Sequence, residues 1–209
     1  MREFELLSIA TIHQHIAPLV DAFLAPRGFV SMKPLHWLRS ADAPIRQMFA
    51  YSQLKGGALV PQWGFSFDFV PHISGRKIAW HRTEKSAIFD AFIDGQGQNL
   101  NLSYMWGVPG LVDNIESHVS AGLQAATEFW ARGKSRDQVF GLVEELRAKP
   151  DSRLNAQLPI AAAMCFAFRG HEAEGRRELE HYIRGRDLNE KVIADLWRTF
   201  DTALLSERT

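Results

Sequence analysis

Trp63-Gly64-Phe65-Ser66-Phe67-Asp68-Phe69-Val70-Pro71 sets four aromatic rings on alternate residues, with Gly64, Ser66 and Asp68 between them. A strand sends successive side chains to opposite faces. One face of this segment is therefore a wall of rings, and the other is small and polar. The alternation predicts a half-buried strand over 62–70. Pro71 has no amide hydrogen to donate, which places it at a strand end or edge. The rings are expected to form the inner face of a sheet packed on a helix. Trp63, beside Pro61, is the ring expected nearest solvent.

Upstream, Ile9, Ile12, Ile16, Leu19, Val20, Phe23 and Leu24 recur at helical spacing. They predict a helix over 8–25, with a kink at Pro18 and a stop at Pro26-Arg27-Gly28. Between Phe29 and Trp106 the period is two. Strand regions are expected at 29–30 with 35–39, at 45–54, at 62–70, at 77–83 and at 99–106. Lys55-Gly56-Gly57 is a break, and 86–94 reads as either a short helix or a turn. Short strands without helix-length insertions argue for an antiparallel meander.

After Val108-Pro109-Gly110 the pattern turns helical. Helices are expected over 113–132, from 135 to near 150, over 155–169, over 172–184 and from 187 to about 205. Ser135-Arg136-Asp137-Gln138 and Asp187-Leu188-Asn189-Glu190 both read as capping-box starts. The links are short, so neighbouring helices should run antiparallel. Ala163, Phe166, Gly170 and Ala173 are spaced somewhat like a tetratricopeptide unit, but no period recurs, so a compact helical subdomain is expected. The fold class is α+β: an N-terminal helix packed on an antiparallel β-meander (1–110), followed by a C-terminal helical bundle (111–209).

Composition narrows the functional classes. The chain has 209 residues, 46% of them apolar and 23% charged, with 24 basic and 24 acidic side chains. Zero net charge argues against a nucleic-acid partner bound by bulk electrostatics. A chain of this size buries roughly 70% of its unfolded surface and needs no covalent staples. The single Cys165 excludes an internal disulfide and fits a reducing compartment. It lies in an apolar run and reads as a buried small hydrophobe. The opening Met1-Arg2-Glu3-Phe4-Glu5 carries acids where a signal peptide needs positive charge. No apolar run reaches the length of a membrane span. A cytoplasmic protein is expected.

The polar side of the sheet carries the candidate chemistry. A two-residue turn at Ser74-Gly75 would pair Ile73 with Arg76, Phe69 with Trp80, Ser66 with Thr83 and Asp68 with His81. A slip of one residue would set Asp68 against Arg82 and throw Trp80 onto the polar face. The first register makes Asp68 and His81 the catalytic candidates, since a carboxylate can orient an imidazole for acid–base work. The same pair also reads as an ordinary cross-strand contact. Trp37 and Arg39 share a strand face, as do Trp80 and Arg82, and such neighbours can grip an anion or a partner's carboxylate. The binding candidates are Arg39, Arg46, His72, Arg82, Trp63 and Trp80. No metal site or cofactor is expected: His13-x-His15 does not share a helix face, and His36, His72 and His81 lack a closely spaced carboxylate or thiol set. Lys55-Gly56-Gly57 and Gly95-Gln96-Gly97 read as turns rather than phosphate loops.

Leu24-Ala25-Pro26-Arg27-Gly28-Phe29, Trp37-Leu38-Arg39 and Trp63–Asp68 together resemble a bacterial family of unknown function. Its members have a first helix ending in a Leu-x-x-x-Gly-Phe turn, a strand with an aromatic-x-Arg element, and an antiparallel sheet. The resemblance covers residues 8–106 and leaves out the helical tail. It implies the same helix-plus-sheet fold and brings no activity with it. Some relatives resemble small immunity or accessory proteins, which implies a protein-binding role. The leading expectation is a non-enzymatic module that binds another protein through the polar sheet face. The alternatives are a hydrolase or transferase using Asp68 and His81 between sheet and helices, and a small-ligand pocket lined by Trp63 and Trp80.

Overall fold

Ser8 opens the first helix by accepting the Thr11 amide on its hydroxyl at 3.1 Å. This helix, α1, runs Ile9–Leu24 and continues through Pro18. Ile12, Ile16, Val20 and Leu24 form its buried stripe, three or four residues apart as a core-facing helix requires. A 3-10 turn, Ala25–Arg27, leads to Gly28 at φ 82°, the left-handed stop that glycine adopts without strain. The computed structural model describes residues 4–42, 44–74, 77–149 and 155–206.

Among these residues the strands are β1 (Val30–Lys33), β2 (His36–Asp42), β3 (Ile45–Leu54), β4 (Ala58–Phe67), β5 (His72–Ser74), β6 (Lys77–Ala79), β7 (Ala91–Asp94) and β8 (Leu102–Ser103). The helices after α1 are α2 (Gly107–Val112), α3 (Ile115–Ala131), α4 (Arg136–Ala148), α5 (Leu158–Phe168), α6 (Glu172–Arg184) and α7 (Glu190–Ser206). The fold is α+β. No described helix is long and apolar enough to cross a membrane.

The main sheet has the order β1-β2-β3-β4-β7, with β8 also pairing β4, while β5 and β6 form a separate two-stranded ladder. Helix α1 is tied to β2, because the Trp37 indole donates to Asp21 at 2.6 Å and packs against the His13 ring. The first expected strand region is in fact a hairpin, β1 and β2, turning through Leu35 at φ 62°.

β4 corrects the reading of the aromatic stripe in two ways. It begins four residues earlier than expected and ends at Phe67, so Asp68 and Phe69 lie in a turn. It is also buried on both faces: Gly64 and Ser66 are as covered as Trp63, Phe65 and Phe67. Small residues on alternate positions fit under a second layer as readily as they face water. Trp63 is only 1% exposed, against the expectation that it would reach solvent. Helix α3 meets the ring face, with Phe129 packed on Phe65 and Gly122 admitting Pro61. The Trp130 indole donates to the Gly64 carbonyl at 3.2 Å.

Two other segments differ from the sequence reading. The ambiguous 86–94 contains strand β7, and the strand expected over 99–106 shrinks to β8, preceded by a 3-10 turn and Asn99 at φ 57°. The chain also divides into two compact units that interleave. One joins the residues up to Phe65 with Phe92–Ala131, and the other joins Ser66–Ala91 with those from Arg132 onward. The first unit holds most of the main sheet, because β7 returns to pair with β4 after the β5–β6 excursion.

In the second unit α5 is buried almost all round and packs with α4, α6 and α7. The capping box at α4 forms as read: Ser135 Oγ accepts the Gln138 amide, and Gln138 Oε1 accepts the Ser135 amide. Ser135→Ala should cost about 1 kcal/mol, read as a shift in the urea midpoint. At α7 the cap is Asn189 rather than Asp187, with its carboxamide oxygen accepting the Val192 amide at 3.0 Å.

Candidate functional site

The β5–β6 ladder pairs His72 with Ala79, Ile73 with Ile78 and Ser74 with Lys77. The expected turn and the Ile73–Arg76 pair involve Gly75 and Arg76, which lie outside the described residues; Ile73 faces Ile78. The register is shifted by two from the expected one. An even shift leaves every side chain on its expected face. However, the ladder stops at His72 and Ala79, so Asp68 and His81 are not a cross-strand pair. Asp68 sits in the turn after β4, where its backbone carbonyl accepts Nε of Arg82 at 3.1 Å.

His81 instead joins a carboxylate that the sequence reading passed over. Its Nε2 lies 2.7 Å from Oδ2 of Asp90, and neither side chain is exposed to solvent at all. The same oxygen accepts the Phe67 amide at 2.7 Å. Phe67 ends β4, and Asp90 immediately precedes β7, so the pairing of these two strands brings the amide and the carboxylate together. A signal for Asp90 does exist in the sequence. It is the only acid in Ala87-Ile88-Phe89-Asp90-Ala91-Phe92-Ile93, and an acid inside an apolar run must find a partner or stay out of the core.

The chain of contacts continues outward. Nδ1 of His81 lies 3.2 Å from Nδ1 of the half-buried His72. The Nε2–H of His81 donates to Asp90, which leaves the lone pair on His81 Nδ1 to accept from the Nδ1–H of His72. Burial, and then the neighbouring His81, hold His72 below the ordinary histidine range. The arrangement has two chemical uses: the outer ring can take up a proton, or the two facing nitrogens can hold a cation.

Cys165 is fully buried in the same unit, with its thiol pushed well up by burial first and then by Asp90 and Glu144. At neutral pH it is a protonated, inert side chain. Burial also raises the Tyr182 phenol, with Asp90 adding to the shift.

The six binding candidates do not form one face. Trp63 and Arg46 are buried, at 1% and 6% exposure, because both strands that carry them lie inside the main sheet. Arg39, also in the first unit, is half-buried, donates to the Arg27 carbonyl at 3.4 Å and lies 5.5 Å from the Phe29 ring. His72, Trp80 and Arg82 belong to the second unit. Trp80 is 37% exposed, and the Arg82 guanidinium sits 4.0 Å from the centre of its ring. Among the described residues, no group of three or more His, Cys, Asp or Glu is placed to hold a metal ion. No protein-family model, curated protein or solved structure matches the chain.

Proposed function

We propose that this is a cytoplasmic, non-enzymatic module that binds another protein, with Trp80 and Arg82 as its central contact pair. The stacked, exposed Trp80–Arg82 pair carries this reading. The Arg82 head is held over the ring at 4.0 Å while its Nε is anchored on the Asp68 carbonyl, so little rotamer freedom is lost when a partner docks. Trp and Arg are the side chains that dominate binding energy at protein interfaces. The pair follows β6, one strand of a two-stranded ladder, and His72 on β5 adds a half-buried polar group nearby. The polar sheet face drops out of the proposal because Arg46 and His81 are buried. The reducing setting rests on a lone, buried cysteine.

The test is quantitative affinity capture with the wild-type chain and a Trp80→Ala/Arg82→Ala variant, followed by titration of any protein lost from the variant. A hot-spot pair should weaken binding about 30-fold or more. The first unit offers a control, since Phe4, Leu6 and Trp106 are exposed and the Phe4 and Trp106 rings meet edge to face at 6.4 Å. If Trp106→Ala abolishes capture and the double variant does not, the contact lies on that unit and the proposed pair is wrong.

A further inference from the structure

We infer that His72 and His81 form a two-imidazole site for a borderline divalent transition-metal cation such as Zn2+, with Asp90 holding His81 from behind. The spacing of the nitrogens supports it. Two imidazole nitrogens bound tetrahedrally to one zinc at about 2.0–2.1 Å lie about 3.3–3.4 Å apart. Nδ1 of His72 and Nδ1 of His81 are already 3.2 Å apart. The cation would enter between them after a small pivot of the outer ring, replacing the N–H···N bond so that a lone pair from each ring points at the ion.

The surroundings of His81 have the features of a metal ligand. A ligating histidine almost always donates its other ring N–H to a carboxylate or carbonyl, which fixes its tautomer and raises its basicity. Asp90 fills that role at 2.7 Å and is itself fixed by the Phe67 amide. His72 is cross-strand from Ala79, and His81 follows two residues beyond it, where its ring meets that of His72 with centres 5.3 Å apart.

Protons balance without an outside acid or base. Metal binding needs the lone pair on His72 Nδ1, and the proton there moves to Nε2 of the same ring. That nitrogen makes no hydrogen bond to any described residue. Two protein ligands leave the other coordination positions to water. The site is therefore weaker than a four-ligand structural zinc site and open to exchange. The half-buried His72 is the entry side, since His81 is closed to solvent.

Isothermal titration of Zn2+ into the metal-stripped full chain at pH 7.5 is the direct test, with Co2+ absorption as a second probe. One equivalent is expected, with affinity lowered more than tenfold by His72→Gln and about 10- to 100-fold by Asp90→Asn. Circular dichroism of the His72→Gln variant should match wild type, which separates loss of the site from loss of the fold. No saturable binding at about 1 mM Zn2+ would overturn the inference. Equal binding by wild type and His72→Gln would also overturn it, because the cation would then sit elsewhere. Neither result bears on Trp80 and Arg82, so this site and the docking pair stand or fall separately.

Discussion

Asp90→Ala is expected to destabilise the protein by about 3–5 kcal/mol, because two buried donors lose their acceptor at once. The Phe67 amide and the His81 ring both give their hydrogen to the same Asp90 oxygen, 2.7 Å from each. Neither Asp90 nor His81 touches solvent, so no water replaces the carboxylate without entering the core. Each orphaned donor costs about 1–3 kcal/mol, and the space left by the carboxyl group adds to it. Asp90→Asn keeps a carbonyl oxygen with two lone pairs that can stand in for Oδ2 and accept from both donors. It loses only the charge, so its cost should be nearer about 1–2 kcal/mol. Urea unfolding at pH 7 reads both values. A loss below about 1 kcal/mol for the alanine variant would mean that the carboxylate does not hold the Phe67 amide and the His81 ring.

The extent to which this arrangement was legible in the sequence depends on how local each signal is. Helix α1, with its Ser8 cap and glycine stop, is written in adjacent residues and forms where they place it. The same holds for the Ser135 capping box, closed across three positions. The rings of β4 are core, as their alternation says, but alternation does not reveal how many layers cover a strand. That is why Ser66, Trp63 and Arg46 read as surface and are buried. Arg46 lies on β3, an interior strand of the sheet, and a strand's place in the sheet order is a property of its neighbours.

The candidate site was half legible for the same reason. His72 and His81 share a face in any register shifted by an even number, but the expected register set His81 against Asp68 and His72 against Lys77, and the observed shift of two brings the two histidines closer along the chain path. The carboxylate behind them was chosen by that register, and the register gave Asp68. The observed partner comes from 23 residues beyond Phe67 and reaches it only because β7 returns to pair with β4. A strand of four residues between a 3-10 turn and a left-handed Asn99 has too little alternation to announce that return. The interleaving of the two units follows from the same excursion: the chain leaves the sheet after β4, builds the hairpin, and comes back.

Gly175 should give the second large effect, with a sign opposite to what helix propensity predicts. Alanine is better than glycine in a helix by about 1 kcal/mol, so Gly→Ala in α6 ought to stabilise. A Cβ at Gly175, however, would lie 2.6 and 2.7 Å from two atoms of the Phe200 ring and 3.1 Å from the Ala163 carbonyl oxygen. The ring cannot easily give way. Phe200 is fully buried, packs edge to face on Trp197 and lies near the Arg176 guanidinium. The carbonyl belongs to the backbone of α5, so moving it means moving the helix. Gly175→Ala should therefore cost about 1–3 kcal/mol despite the propensity gain, and Gly175→Val about 3 kcal/mol or more, since it adds a branched carbon at the same contact. Gly141 supplies the control: it lies in α4 with nothing within 4 Å of its would-be Cβ, and Gly141→Ala should stabilise by about 0.5–1 kcal/mol. Chemical unfolding of the two alanine variants side by side decides the matter. Opposite signs place α6 against α5 and α7 through a gap that only glycine fills, whereas a stabilising Gly175→Ala would mean that the three helices do not meet there.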